Sequence, residues 1–284
     1  MLDIFRTLPA EARRENLASY REFLIRRDGA MDLDKRQLSR REEGVRRYET
    51  APARIREIDR DLFKSQYDAF DPKVETSAEM LLLLALVKVN GAEAYGVNRS
   101  YDKVLRRALK NQDECELTLL CEETYHTRIL VSTALSYGLD VGSAYEPPAA
   151  LRALITAIGA TPLFVSRPLV LASEILAVLM FTNLLEKSRQ VLSHDPELRD
   201  GVEERLCEIL TDEIGHMSFN RACIGAAGMA QARMLLPMVA VGMSGAFPEL
   251  NALGSMASAS GDEVAGLVTG RRIPEHVAKS AFIS

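Results

Sequence analysis

Tryptophan is absent from this 284-residue chain, and aromatic residues make up only 6% of it. That leaves few flat platforms on which nucleic-acid bases could stack. Basic residues are not in excess either. Lys and Arg number 35 against 40 Asp and Glu, a net charge of -5, whereas a nucleic-acid surface needs a basic face. No nucleic-acid partner is expected. Cysteine is scarce: Cys115, Cys121, Cys207 and Cys223 are the four, and no two form C-x-x-C. The first six residues, Met-Leu-Asp-Ile-Phe-Arg, are too polar to open a secretory signal. The cysteines therefore read as reduced thiols of a cytoplasmic protein.

Long apolar runs are also lacking. Met80–Val87 and Pro168–Phe181 are shorter than a membrane span requires. Met229–Phe247 is interrupted by Gln231, Arg233 and Pro237 and reads as a buried helix pair. No membrane partner is expected. A G-x-G-x-x-G fingerprint is missing, so any redox chemistry would draw on an external electron donor. Sustained period-two alternation is missing too, so almost no strand is expected.

What the chain does have is 47% apolar residues, enough for a sizeable core, and helical periodicity through most of its length. Residues 1–70 are rich in charge. Glu11–Arg27 has Leu17, Tyr20 and Leu24 at helical spacing, and Leu33–Tyr67 reads as one or two solvated helices packed outside a core. Residues 71–228 carry four long helical segments. They run over Thr76–Leu109, Glu114–Tyr137, Pro168–Leu192 and Asp195 to about Ile224, with a shorter helix at Ala149–Gly159. Glu146-Pro147-Pro148 marks a break, and Thr161-Pro162 and Arg167-Pro168 bracket a loop. Asp195 and Pro196 form a strong helix start, and Gly225 and Gly228 end that helix. Residues 229–284 read as shorter helices broken by Pro237, Pro248, Gly261 and Pro274.

Two of the long segments contain the same pattern. Glu122-Glu123-Thr124-Tyr125-His126 and Asp212-Glu213-Ile214-Gly215-His216 are each an acid followed by Glu-x-x-His. Residues three apart share a helix face, so a Glu and a His in such a motif can reach one point. Two such motifs, with one Glu from each of two further helices, make the ligand set of a dinuclear carboxylate bundle. The two further glutamates follow from turn geometry, because residues level with each other in an antiparallel pair lie equally far from the turn. The midpoint of 93 and 123 is 108, within about one helical turn of Lys110–Asp113. The midpoint of 79 and 123 is 101, inside a helix, so Glu93 is preferred over Glu79. The midpoint of 174 and 213 is 193.5, on the Ser193–Pro196 turn, while 186 and 213 meet at 199.5. Glu174 also sits in an apolar run, where an unpaired carboxylate is costly. Glu186 stands next to Lys187 and near Arg189 and reads as solvated.

The expected ligands are therefore Glu93, Glu123, His126, Glu174, Glu213 and His216. Four carboxylates held together would repel and take up protons, and two divalent ions neutralise them. Carboxylate and imidazole donors suit iron or manganese. Asp212 and Glu122 are expected to accept the other N–H of the ligating imidazoles. Leu119, Ala177, Val178 and Met217, one turn from ligands, are candidates for a substrate pocket. Tyr125 is a further candidate, although its place on the helix also suits packing. His194 and His276 read as surface residues.

On these residues the chain resembles the ferritin-like di-iron carboxylate superfamily, over about Thr76 to Gly228. Within it, Cys121–His126 and Thr211–Phe219 look most like the p-aminobenzoate N-oxygenase family. The aminoarene oxygenases of that family carry a third His one turn before the final Glu; here the position is Ile209. The resemblance thus implies the ordinary six-ligand set. It also implies an all-α fold, a four-helix bundle with extra N- and C-terminal helices. The expected activity is a di-iron oxygenase or oxidase that uses two irons and dioxygen. Its substrate would be a small organic metabolite, an amine among the candidates. The alternative is an iron-binding ferroxidase without an organic substrate, which would need a shell-forming assembly. The extra helices hinder such packing, and a homodimer is the assembly considered.

Overall fold

A computed structural model describes residues 4–50, 58–139, 147, 149–268 and 272–283. Among the described residues the chain is all-α apart from one hairpin. The N-terminal part holds α1 (Ala10–Asp28), β1 (Met31–Asp32), β2 (Gln37–Leu38), α2 (Ser39–Glu49) and α3 (Arg60–Asp68). The long helices are α4 (Ala78–Asn111), α5 (Glu114–Ser136), α7 (Leu163–Val191) and α8 (Pro196–Cys223), with α6 (Ala149–Ala160) between α5 and α7. The C-terminal part is α9 (Ala226–Ala246), α10 (Pro248–Leu253), α11 (Gly261–Val268) and α12 (Glu275–Ser280).

Four helices position the centre. α4 lies along α5 and α7 along α8, while α5 meets α8 and α4 meets α7, so the four close a bundle. Local chemistry sets their ends. Ser77, Asp113 and Asp195 each accept a backbone N–H from the first turn of α4, α5 and α8, satisfying donors that a helix start leaves unpaired. Gln112 is left-handed at the end of α4, and Gly138 is left-handed after α5. The turn between α4 and α5 is therefore as tight as Lys110–Asp113 suggested.

The first half of α4 is apolar on every side because it is covered on every side. Leu82, Leu83, Leu84, Ala85 and Leu86 are fully buried, each leucine contributing about 1.5–3 kcal/mol relative to exposure. α3 and α10 pack on this helix, and Lys88 on α4 meets Glu249 on α10 at 3.3 Å.

Several boundaries differ from expectation. α7 begins at Leu163, so the segment up to Arg167-Pro168 is helix, not loop. Pro168 is tolerated there because it falls near the helix start. The carbonyl it leaves without an N–H is that of Phe164, whose residue is exposed to water. Glu146 and Pro148 lie outside the described residues. Gly225 caps α9, and Gly228 lies within it rather than ending α8. Met229–Phe247 is not a buried helix pair. It belongs to α9, a single helix that continues through Pro237 and packs on α7 and α6. Its outer face exposes Met234, Met238 and Val241.

The apolar segments are also longer than expected. Ala78–Arg99, Phe164–Val191 and Ala226–Ala246 are each long and apolar enough to cross a membrane by length and composition. The apolar runs looked too short because single polar residues interrupt helices that are themselves long. Glu93 and Glu174 are two of those interruptions, and they bring α4 and α7 to the centre described next.

Candidate metal centre

The four bundle helices bring all six expected residues to one place. Glu93 (α4), His126 (α5) and Glu213 (α8) offer ligand atoms within 4.8 Å of one another. Glu123 (α5), Glu174 (α7) and His216 (α8) do the same. The grouping crosses between helices. Each Glu-x-x-His motif sends its Glu to one triad and its His to the other, whereas the motif alone suggested that a Glu and its own His meet at one point. The triads are neighbours: the two imidazole rings are 5.6 Å apart. Glu123 stands between them, 3.6 Å from His126 Nδ1 and 3.1 Å from His216 Nδ1. Glu213 lies 3.3 Å from His126 Nδ1.

The rejected glutamates lie elsewhere. Glu79 is 3.5 Å from the exposed His194, and Glu186 pairs with Arg272. His276 is exposed, as expected.

The outer nitrogens of the imidazoles are also held crosswise. His126 Nε2 lies 3.1 Å from Asp212 on α8, and His216 Nε2 lies 3.0 Å from Glu122 on α5. With Nε2–H donating to a carboxylate, Nδ1 is the nitrogen left facing inward, free to bind a cation once its proton is lost. Both Nδ1 atoms are buried and lack a hydrogen-bond partner among the described residues, as does Oε2 of Glu93. Buried polar atoms are rarely left so. Their number, type and convergence suit cations bound at the two triads. Both imidazoles are fully buried, while Glu93, Glu123 and Glu174 keep some surface open, 29% of the side chain for Glu123.

The electrostatics of the centre are those of a site short of positive charge. Burial pushes the Glu93 carboxyl up to about 8; the charges of Glu213 and Glu123 push the same way, against the opposing pull of the His126 and His216 imidazoles. Burial and the Glu213 charge hold Glu174 well above the usual carboxylate range. Burial would lower both histidines, but the surrounding carboxylates outweigh it: Asp212, Glu123 and Glu213 keep His126 protonated, and Glu122 and Glu123 keep His216 so. Burial opposes ionisation of Glu123 as well, but the His126 and His216 imidazoles beside it keep it ionised.

Two guanidinium groups from the N-terminal helices meet the outer acids. Arg27, near the end of α1, pairs with Asp212 and lies 3.4 Å from both Glu122 and Glu208. Arg41, in α2, pairs with Asp212 and Glu208 and is 3.7 Å from Asp28. Burial opposes the charge on Asp212, and Arg27 and Arg41 more than compensate, so its carboxylate stays well below its ordinary range. The expectation of solvated helices packed outside a core therefore fails for this segment. Arg41, Val45 and Tyr48 of α2 are buried, and Arg41 pairs with Asp212 behind the centre. No sequence motif marked these arginines. The available signal was Leu17, Tyr20 and Leu24, which predicted one buried face on α1 without saying what it covered. Tyr20 lies over Gly215, whose missing Cβ would stand 3.3 Å from the Tyr20 hydroxyl. Glycine inside the second motif thus lets α1 approach α8.

The pocket candidates are dispersed. Tyr125 turns away from the triads: its hydroxyl accepts from Leu38 N at 2.9 Å and donates to Glu42 at 3.1 Å. It fastens the hairpin and α2 to α5 and lines no pocket at the centre. Val178 and Met217 are closed in the main core, with Ala177 packed against it. Leu119 packs with the separate cluster of Tyr20 and Phe219. All four cysteines are free thiols.

Comparison with protein-family models, curated proteins and solved structures finds no match to this chain.

Proposed function

We propose that the chain is a ferritin-like, non-haem di-iron enzyme. It would oxidise a small organic metabolite with dioxygen, using electrons from an external donor. The observation that carries this reading is the pair of triads. Each has one imidazole and two carboxylates, and the imidazole Nδ1 atoms are buried and unpaired while their Nε2 atoms are anchored. Donors of this kind suit iron, with manganese as the other fitting metal. Two divalent ions would balance the four inner carboxylates. When bound, such ions supply dioxygen reduction, a chemistry no protein side chain provides.

The chain's own residues do the rest. Glu93, His126 and Glu213 would hold one ion and Glu123, Glu174 and His216 the other, Glu123 being placed between the two. Asp212 and Glu122 fix the tautomer by holding the N–H at Nε2 of His126 and His216. Arg27 and Arg41 keep Asp212 ionised. The apolar walls of α4 and α7 exclude bulk water, and the open surface of Glu123 is where a small molecule would reach the centre. Glu93 and Glu174 face the other ligand helices rather than an outer surface, which favours a cytoplasmic protein over a membrane-embedded one.

The test is oxygen consumption by protein loaded anaerobically with Fe(II), over a panel of amines, amino acids and fatty acids, with products followed by mass and labelled dioxygen. Oxygen uptake that rises with one class and yields a product heavier by labelled oxygen, or one that has lost hydrogen, is the expected result. Iron oxidised into an accumulating mineral, with every organic compound unchanged, would replace this reading with a ferroxidase.

A further inference from the structure

At the end of the bundle, a cavity of about 800 Å³ lies between α1, the start of α7, the end of α8 and the start of α9. Its lining contains three arginines, Arg13, Arg14 and Arg167, and no acid, in a chain whose net charge is -5. Arg167 is committed, bonding Asn220 and Glu116 at 3.3 Å each and lying over the Phe219 ring. Arg13 and Arg14 have no carboxylate partner among the described residues. The Nε of Arg13 is moreover buried without a hydrogen-bond partner. Its guanidinium sits beside Gly225, where an added Cβ would be 3.8 Å from its terminal nitrogen. Gly225 caps α9, and no side chain caps that helix start. Cationic side chains and uncapped backbone N–H groups thus face the same space, and both favour an anion.

The opposite wall is apolar. Leu17, Pro168, Ile224 and Ala227 form it, and Phe164, 78% exposed, stands at the rim. A simple inorganic anion would leave that wall unused. We propose that the cavity binds an amphipathic organic anion, its carboxylate or phosphate on Arg13 and Arg14 and its apolar body along the wall. The site is distinct from the triads. Arg167 is seven residues from Glu174 along α7, and Cys223 seven from His216 along α8, each about 10 Å. Binding needs no metal, so the inference does not depend on the di-iron reading.

Isothermal titration of the full-length, metal-free protein tests it, with dodecanoate, dodecyl phosphate, dodecanol and inorganic phosphate, the amphiphiles held below micelle-forming concentrations. One or both anionic amphiphiles should bind at one per chain, and the better of the two identifies the headgroup. Dodecanol and inorganic phosphate should each bind at least about tenfold more weakly, since each lacks one half of the interaction. Arg13→Gln/Arg14→Gln should weaken the anion about tenfold or more, and Phe164→Ala, at an exposed position that folding does not need, about threefold. Equal binding of dodecanoate and dodecanol, tight binding of inorganic phosphate, no binding by either amphiphilic anion, or an unchanged affinity in both variants would each overturn the proposal.

Discussion

The centre contains two sets of buried and half-buried acids that differ in what compensates them. The outer acids, Asp212, Glu122 and Glu208, meet Arg27 and Arg41. Asp212 stays ionised there without help from any ion. The inner acids, Glu93, Glu123, Glu174 and Glu213, have two imidazoles and one another. Glu93 and Glu174 respond by taking up protons. The outer set is complete as the chain folds, whereas the inner set is complete only with added positive charge. The same residue type thus marks structure in one place and a cation site in the other, and the difference lies in where the guanidinium groups are.

The largest effect expected from breaking this contrast is in the inner set. Glu174→Ala should abolish iron binding or weaken it beyond about a hundredfold, while Glu186→Ala, which removes only a pairing with Arg272 away from the triads, should leave it nearly intact. Equilibrium dialysis ranks the two, and the reverse ranking would show the triad assignment to be wrong. In the outer set the main loss should be stability. Arg41→Ala leaves Asp212 and Glu208 with a buried partner missing, and breaking a buried pair costs about 3–5 kcal/mol. Denaturant unfolding measures this, and a loss under about 1 kcal/mol would mean that the outer set does not need its arginines.

A smaller effect should follow Asp212→Asn. The amide fills the same space but no longer anchors His126 as a charged acceptor, so metal affinity should fall about 10- to 100-fold while binding persists. Unchanged affinity would remove Asp212 from its assigned role. The last effect is in pH. The Glu93 carboxyl, raised to about 8 from its ordinary 4.5, holds a proton in the fold that the unfolded chain releases. Stability of the metal-free protein should therefore fall as pH rises through that window. His126 and His216, raised as well, act in the same direction. A cation must displace these protons, so apparent iron affinity should rise between pH 6 and 8, by about tenfold per unit for each proton released. Affinity flat across that range would contradict the raised Glu93 carboxyl.

The inner set was legible in the sequence because its cause is local. Glu-x-x-His places two side chains on one helix face, and turn midpoints fix which partner glutamates lie level with them. Glu93 and Glu174 could be selected without knowing any contact. Their crosswise grouping was not legible, since it depends on how α5 and α8 are rotated against each other. Arg27 and Arg41 were hidden for a related reason. In a segment dense with Arg and Glu, a buried guanidinium looks like a solvated one until the helix carrying it is docked. α9 was misjudged because Pro237 reads as a break, whereas an exposed helix face can lose one hydrogen bond to water. Tyr125 was placed near a pocket by its neighbours in sequence, yet the hairpin, whose two-residue strands carry almost no pattern, takes its hydroxyl.

The most direct test of the inner set as a dinuclear cation site is an anaerobic Fe(II) titration of the metal-free full-length chain, read out as bound iron per chain after gel filtration. About two irons per chain are expected, because six donors of this kind complete a dinuclear site. Saturation at one iron, or no retained iron at all, would contradict the account.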